Sequence, residues 1–514
     1  MTRNVRRRAR VIAARPRLVI AFRSSVSSGG VTDHFVSHSR FKMSRFALPA
    51  VLAATAALAL PASGQTYYED VRPVLVENCM SCHSEAGVSW SMEDPESAYE
   101  RARRIARAID QRRMPPFLAE RGHQQYVGDV TLDDETVMMI RRWAEAGYPK
   151  GDARPDPEMA AAMRHHPDFE PDVTTEVLPE EGYLPNQASD DDYRCFLVDW
   201  TGDVDSYVTG FRAVPGNREV GHHVVVYAVE PEMWDAYRAL EDIEEGPGYT
   251  CFGGALPDEL VRDRARIDAY EAENDHGVRE LSQANWWLAH WAPGMDGHVF
   301  PEGTGLKLEP GAGIVVQMHY YGGAAPGQRD SGTRMDFVTA PAVERPAMHL
   351  PQTDNDWFNA PADAEMIIPA GEMRTYEYRD DLDDVLGYIA EIAGVPADDV
   401  TALEIHSANL HMHAIGHSGE ITLTHATGEV EVLLSVPRWD LGWQRDFTFV
   451  EPKVLSLDEL EGASLTVRCT FENTTEETVY GGLGSGDEMC FNFSYISVVT
   501  GDEATTSEDE ARQR

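Results

Sequence analysis

GIVVQMHYY, residues 313–321, is a short apolar run with glycine at its first position and two glycines immediately after it. Nine residues rich in β-branched side chains between turn formers suit a strand far better than a helix. Runs of the same texture, alternating or wholly apolar, recur across the chain: YRCFLVDW (193–200), SYVTGFRAV (206–214), HHVVVYAV (222–229), GEITLTHA (419–426), EVEVLLSV (429–436), SLTVRCTF (464–471) and MCFNFSYISVV (489–499). Gly, Pro, Asn and Asp turns separate them, a spacing that predicts antiparallel β-sandwiches. One helix, over residues 381–394, is expected as an insertion in the later β-region. The fold class is therefore mainly β: two tandem antiparallel sandwiches, with a small all-α unit before them.

At 514 residues and 42% hydrophobic content the chain can bury several cores. Residues 1–64 read as leader and signal peptide. The best export signal, MSRFALPAVLAATAALALPASGQ, begins at Met43, which is the expected start. Its apolar centre is too short to span a bilayer, and no later segment has 18 uncharged apolar residues, so no membrane span is expected and a periplasmic or secreted location is. The formal charge of −42 becomes more negative once the Arg-rich leader is removed. Such a surface repels nucleic acid and anionic lipid and names no substrate.

The motif CMSCH places Cys79, Cys82 and His83 in the C-x-x-C-H arrangement, in which both thiols attach to a c-type haem and the histidine reaches its iron. A redox dithiol would follow a strand in a βαβ pattern, and a zinc site needs a second Cys/His pair; neither is present. Asp94-Pro95 opens a helix with Tyr99, Ala102, Ile105, Ala106 and Ile109 on its apolar face. That helix ends at RMPPF, where Met114 is the expected second iron ligand, held before two helix-breaking prolines. A further helix from Asp133 to Ala146 buries Val137, Ile140 and Trp143 and closes at Gly147. Residues 66–152 thus read as a small cytochrome c-like unit. Residues 153–182 are rich in Pro, Asp and Glu and read as a tether, and residues 501–514 as a disordered acidic tail.

Histidines mark the strands. His222 and His223 open one, and His319 closes another; adjacent strand residues face opposite ways, so a shared metal requires the backbone to turn at the strand start, beside Gly221. Three imidazoles without carboxylates suit copper or zinc. In LHMHAIG (410–416), His411 and His413 share a strand face, about 6–7 Å apart along the chain. Met489 follows in a glycine-rich approach to the last strand. Two imidazoles and a thioether make a softer set that favours Cu(I). Counting alone leaves three pairings among Cys195, Cys251, Cys469 and Cys490.

HHVVVYAV, WAPG followed by FPEGTGLKL, VVQMHYY, LHMHAIG and RCTF…GDEMC occur in the order found in the ascorbate-dependent copper type II monooxygenases, which include peptidylglycine alpha-hydroxylating and dopamine beta-monooxygenases. The chain resembles that family from about Asp190 to Val499. The resemblance implies an N-terminal copper sandwich (183–345) and a C-terminal copper sandwich (346–500), with two copper ions. His222, His223 and His319 would hold the electron-transfer copper, and His411, His413 and Met489 the copper that binds dioxygen. It also implies the disulfides Cys195–Cys251 and Cys469–Cys490. The haem unit has no counterpart in the two named enzymes. Nor does the sequence follow the peptide-amidating branch: where that branch carries an arginine, an asparagine and a tyrosine to hold its substrate, this chain has Asn409, Phe491 and Phe493. A peptide carboxylate loses its bidentate partner there. Phe491 and Phe493 become candidates for an apolar substrate wall.

The resulting expectation is an exported monooxygenase that uses O2 to hydroxylate an activated C–H bond of a small organic substrate. Electrons would come through the fused haem, from ascorbate or from a periplasmic donor. The alternative is a periplasmic copper and haem electron-transfer or copper-binding protein without oxygenase activity. His290 and His417 default to packed or solvent-facing imidazoles.

Overall fold

The structure, a computed structural model, describes residues 64–501 apart from Ser81 and residues 85–88, 158–168, 189–190, 203, 252–253, 292–296, 322–324, 359–364 and 483–485. The export signal with its start at Met43 and the acidic tail lie outside the described residues.

Mainly β architecture is what the chain adopts. Gly313–Tyr321 is the centre of a five-stranded sheet, flanked by Asp191–Asp199 and Gly221–Val229, with Tyr249–Thr250 and Asn285–Trp291 at the edges. Its first eight residues are all buried because both sheet faces are covered. The inner face, with Val224, Val226, Ile314 and Val316, packs on Val208, Phe211, Met335 and Phe337 of a second sheet. The outer face packs under the helices Pro231–Ala239 and Val278–Gln283, through Trp234, Tyr237 and Leu281. Sequence reading missed these helices: six to nine residues carry too few turns for a helical period to emerge.

That second sheet runs through the whole β-region. Its order is Val173–Glu176, Arg334–Ala340, Ser206–Val214, Thr304–Leu308, Arg345–Gln352, Phe491–Thr500, Val400–Ala408 and Phe447–Ser456. Every neighbouring pair is antiparallel except one: Arg345–Ala347 runs parallel to Thr304–Leu306. The last four of these strands face a four-stranded sheet of Met373–Asp381, Ser464–Glu472, Gly416–Thr424 and Val430–Val436 across a core of Leu403, Ile405, Ile421, Leu465, Val467 and Ile496. The two sandwiches therefore share a sheet, with a parallel seam where two wholly antiparallel units were expected. The edge strand Val173–Glu176 lies within the stretch expected to be a tether; Val173, Thr174 and Thr175 are β-branched residues that suit it.

Local signals set the inserted helix, Leu382–Ala393, which starts after Asp381 and ends at Gly394 in a left-handed conformation with φ 72°. In the α unit, Asp94 and Asp133 accept hydrogen bonds from the backbone of Ser97 and Thr136, capping Pro95–Glu100 and Asp134–Glu145. With Arg72–Asn78 and Ala102–Asp110 these helices enclose Leu75, Ile105, Ile109, Ile140 and Trp143. Residues 117–127 then leave the α unit and lie along the C-terminal sandwich. Glu120 N–H donates to the Ser435 carbonyl (2.7 Å), Val127 N–H to Thr448 (2.8 Å), and the Tyr126 hydroxyl to Leu433 (2.7 Å).

Candidate metal centres and the cavity beside them

The first histidine set forms because the strand Gly221–Val229 carries a bulge. Its register against Gly313–Tyr321 slips between Gly221, opposite Tyr320, and His223, opposite His319, so His222 is the extra residue. A bulge turns two consecutive side chains toward one point, which regular strand geometry forbids. His222 Nδ1 lies 3.2 Å from His319 Nδ1, and His223 Nε2 lies 2.7 Å from the same atom. One ligand nitrogen from each of the three rings falls within 4.8 Å of the others. An ion with metal–nitrogen bonds of about 2.0–2.1 Å fits among nitrogens so spaced.

Surroundings hold the rings in place and keep His222 and His223 neutral. His319 Nε2 meets Asp191 Oδ1 at 2.8 Å, the carboxylate–histidine contact that orients a metal-binding imidazole. Tyr193 stacks on the His319 ring, with centroids 4.0 Å apart and planes within 6°. Burial, with the neighbouring His319 second, pushes His222 down to about 4 and His223 well below its usual value. Neutral imidazole is the form that binds a metal.

His411, His413 and Met489 all border one cavity. His411 lies in the short strand Leu410–His411, opposite Phe491, and His413 two residues on; their ring centroids are 5.2 Å apart. Nδ1 of His411 meets the Gln444 side-chain oxygen, and Nδ1 of His413 the Asp487 carbonyl at 3.0 Å. Both contacts make Nε2 the ligand atom of each ring. Burial, followed by the charge of His413, brings His411 down to about 3. The Cys469–Cys490 disulfide and Glu488 anchor the approach to Met489: Glu488 accepts backbone hydrogen bonds from His413 (2.8 Å) and Ile415 (2.6 Å). The other disulfide is Cys195–Cys251, so both expected bonds are present.

A cavity of about 160 Å³ is lined by His223 of the first set and by His411, His413 and Met489. Phe491 and Phe493, stacked at 5.4 Å, form its apolar wall with Trp287, whose ring is 4.3 Å from Phe493. Asn409 lines it too, but its amide donates to Asp446 at 2.8 Å. Asp446 in turn lies 3.0 Å from His290 Nε2. Burial alone would raise the Asp446 carboxyl and lower His290, yet their mutual attraction reverses both shifts. His290 thus borders the cavity as part of a buried polar pair.

A second cavity, of about 370 Å³, contains the motif of the α unit. Cys79, Cys82, His83 and Met114 all line it, and Trp443, Gln444 and Arg445 of the C-terminal sandwich close its far side. His83 Nδ1 lies 2.9 Å from the Trp90 carbonyl oxygen. Neither of the two disulfides includes Cys79 or Cys82, and burial pushes the Cys79 thiol up to about 12.

Residues 394–507 match the C-terminal domain of the copper type II ascorbate-dependent monooxygenases. The match contains His411, His413 and Met489 and supports copper monooxygenase chemistry and an oxidoreductase. No curated protein matches the chain. Solved structures similar to it include a putative secreted protein from Parabacteroides distasonis ATCC 8503 (11% identity, 64% of this chain and 88% of that one, TM-score 0.14) and PNGF-II in a C2 space group (9%, 64% and 65%, 0.27). The VP2 subviral particle of infectious bursal disease virus is a third (11%, 66% and 74%, 0.17). Likeness this low carries no argument. The two disulfides are compatible with a secreted protein, and no helix among the described residues is long and apolar enough to cross a membrane.

Asp191, Gln444 and Asp446 escaped the sequence reading. Asp191 had a weak signal, since it lies in the strand that pairs with His319's. Gln444 and Asp446 sit in a loop more than 30 residues from His411, and no spacing rule reaches them.

Proposed function

We propose that this chain is an exported copper-dependent monooxygenase that inserts oxygen from O2 into an activated C–H bond of a small organic substrate. The observation that carries the reading is the common cavity: His223 of the all-nitrogen set and all three members of the thioether-containing set border the same apolar space. His222, His223 and His319 would hold one copper, and His411, His413 and Met489 the other. Copper at the second set would supply dioxygen binding and one-electron chemistry, with one oxygen atom entering the substrate and the other leaving as water.

The chain's own residues position and shield this chemistry. Gln444 and the Asp487 carbonyl fix the two rings so that Nε2 is the ligand atom. Asp191, in contact with His319 Nε2, orients that ring so that Nδ1 faces His222 and His223 as its ligand atom. Phe491, Phe493 and Trp287 exclude water and accept an apolar substrate face. Asn409, already engaged by Asp446, offers no cation to a substrate carboxylate, which argues against peptide amidation.

The α unit, residues 66–152, is read as a haem domain: Cys79 and Cys82 would carry the thioether links, and His83 and Met114 the axial ligands. Two cysteines outside both disulfides, lining one cavity with a histidine and a methionine, support this. Residues 183–345 and 346–500 are the two copper sandwiches. Ascorbate or a periplasmic protein would supply electrons.

Metal quantitation and electron paramagnetic resonance on the purified protein test the reading, together with oxygen uptake across a panel of apolar substrates. Two coppers per chain and substrate-dependent uptake are expected. Copper without such uptake would favour a carrier, and absence of copper would overturn the proposal.

A further inference from the structure

The loop Trp443–Arg445 belongs to both cavities. All three residues close the far side of the one that contains Cys79, Cys82 and His83, and Gln444 also lines the one that contains His411. Its side-chain oxygen bonds His411 Nδ1, so one side chain separates the inferred haem site from a ligand ring. No residue of the other histidine set borders the larger cavity.

Arg445 adds an independent observation. Its guanidinium lies over the Phe117 ring at 5.9 Å, and neither a hydrogen bond nor an ion pair holds it among the described residues. Burial lowers its affinity for a proton. A half-buried guanidinium without a fixed partner, facing a cavity that contains the C-x-x-C-H motif, has the chemistry to take a carboxylate of the guest molecule.

We propose that Trp443–Arg445 is the electron entry of the protein: Gln444 connects the haem to the copper at His411, His413 and Met489, bypassing the His222 set, and Arg445 pairs with a haem propionate. This rests on the metal assignments above. Each passage moves one electron, the haem iron going from Fe(II) to Fe(III) and the copper from Cu(II) to Cu(I). A one-electron reductant of the ascorbate class returns the iron to Fe(II) before the next.

The test uses the copper- and haem-loaded full chain under nitrogen. The haem is reduced by a flash, its reoxidation is followed optically, and loss of Cu(II) is followed by electron paramagnetic resonance. His222→Ala should leave the transfer rate within about twofold, His411→Ala should abolish transfer, and Gln444→Ala, assayed at a copper excess that fills the His411 set as in wild type, should slow it at least tenfold. Transfer that survives His411→Ala, or that is lost in His222→Ala, overturns the entry route, as does an unaltered rate in Gln444→Ala. Arg445→Gln should lower the ferrous-to-ferric ratio at fixed poise about tenfold, or about 59 mV for a one-electron couple; an unchanged haem potential overturns the propionate contact. Wild-type protein without copper or covalent haem would instead refute the metal assignments, and the bridge with them.

Discussion

Asp191 bears on His319 through a single 2.8 Å contact, and its removal should be felt at the metal rather than in the fold. Asp191→Asn is expected to weaken metal binding at the His222 set about 10–100-fold, measured by chelator competition, with little change in melting temperature. Met489 gives the complementary case. It is buried at the cavity, and Met489→Leu nearly conserves volume, so stability should change by less than about 1.5 kcal/mol. The sulfur scatterer should vanish from the X-ray absorption spectrum of the Cu(I) protein, and substrate-dependent oxygen uptake with it; a spectrum that retains sulfur would remove Met489 from the ligand set. At this scale the sequence was informative where donor types are rare. Two histidines separated by Met412, and Met489 beside Cys490, stand out in an apolar context, whereas Gln444 and Asn409 are ordinary polar residues until folding brings their partners to them.

Among the strands, patterning reported burial well and partners poorly. GIVVQMHYY is apolar along its length because helices cover its outer face, a fact invisible in the run itself. Trp234 packs so closely there that a Cβ on Gly313 would lie 1.8 Å from its ring. Gly313→Ala should therefore destabilise by about 1–3 kcal/mol, read as a lowered melting temperature. Asp336 joins three strands: it accepts hydrogen bonds from Arg212 at 2.6 Å and from Thr174 at 2.9 Å. Burial would raise its carboxyl, but the hydrogen bonds from Arg212 and Thr174 outweigh it and hold the group below its usual value. A depressed acid stabilises the fold above its unfolded pKa, and the contribution fades as pH falls from about 4 through the lower folded value. Asp336→Asn should cost about 3 kcal/mol at neutral pH, and the gap to wild type should narrow below about pH 4 in denaturant titrations. A constant gap would assign the loss to packing.

For the whole molecule, composition indicated an α unit followed by β-domains, and local caps at Asp94, Asp133 and Gly394 set helix ends as expected. Contacts between the parts were not legible, because backbone hydrogen bonds such as Glu120 to Ser435 and Val127 to Thr448 need no distinctive side chain. Tyr126, with Phe117, Leu118 and Ala119, packs residues 117–127 onto the C-terminal core. Tyr126→Phe removes its hydroxyl bond to Leu433 and should cost about 1 kcal/mol, whereas Tyr126→Ala should cost about 3 kcal/mol or more. Limited proteolysis should cleave the alanine variant faster between the α unit and the sandwiches. The parallel seam between Thr304–Leu306 and Arg345–Ala347 has a practical corollary. A gene divided at residue 345 would yield two polypeptides with raw, hydrogen-bond-hungry margins, each a template for self-association. The halves should express poorly alone and recover when co-produced.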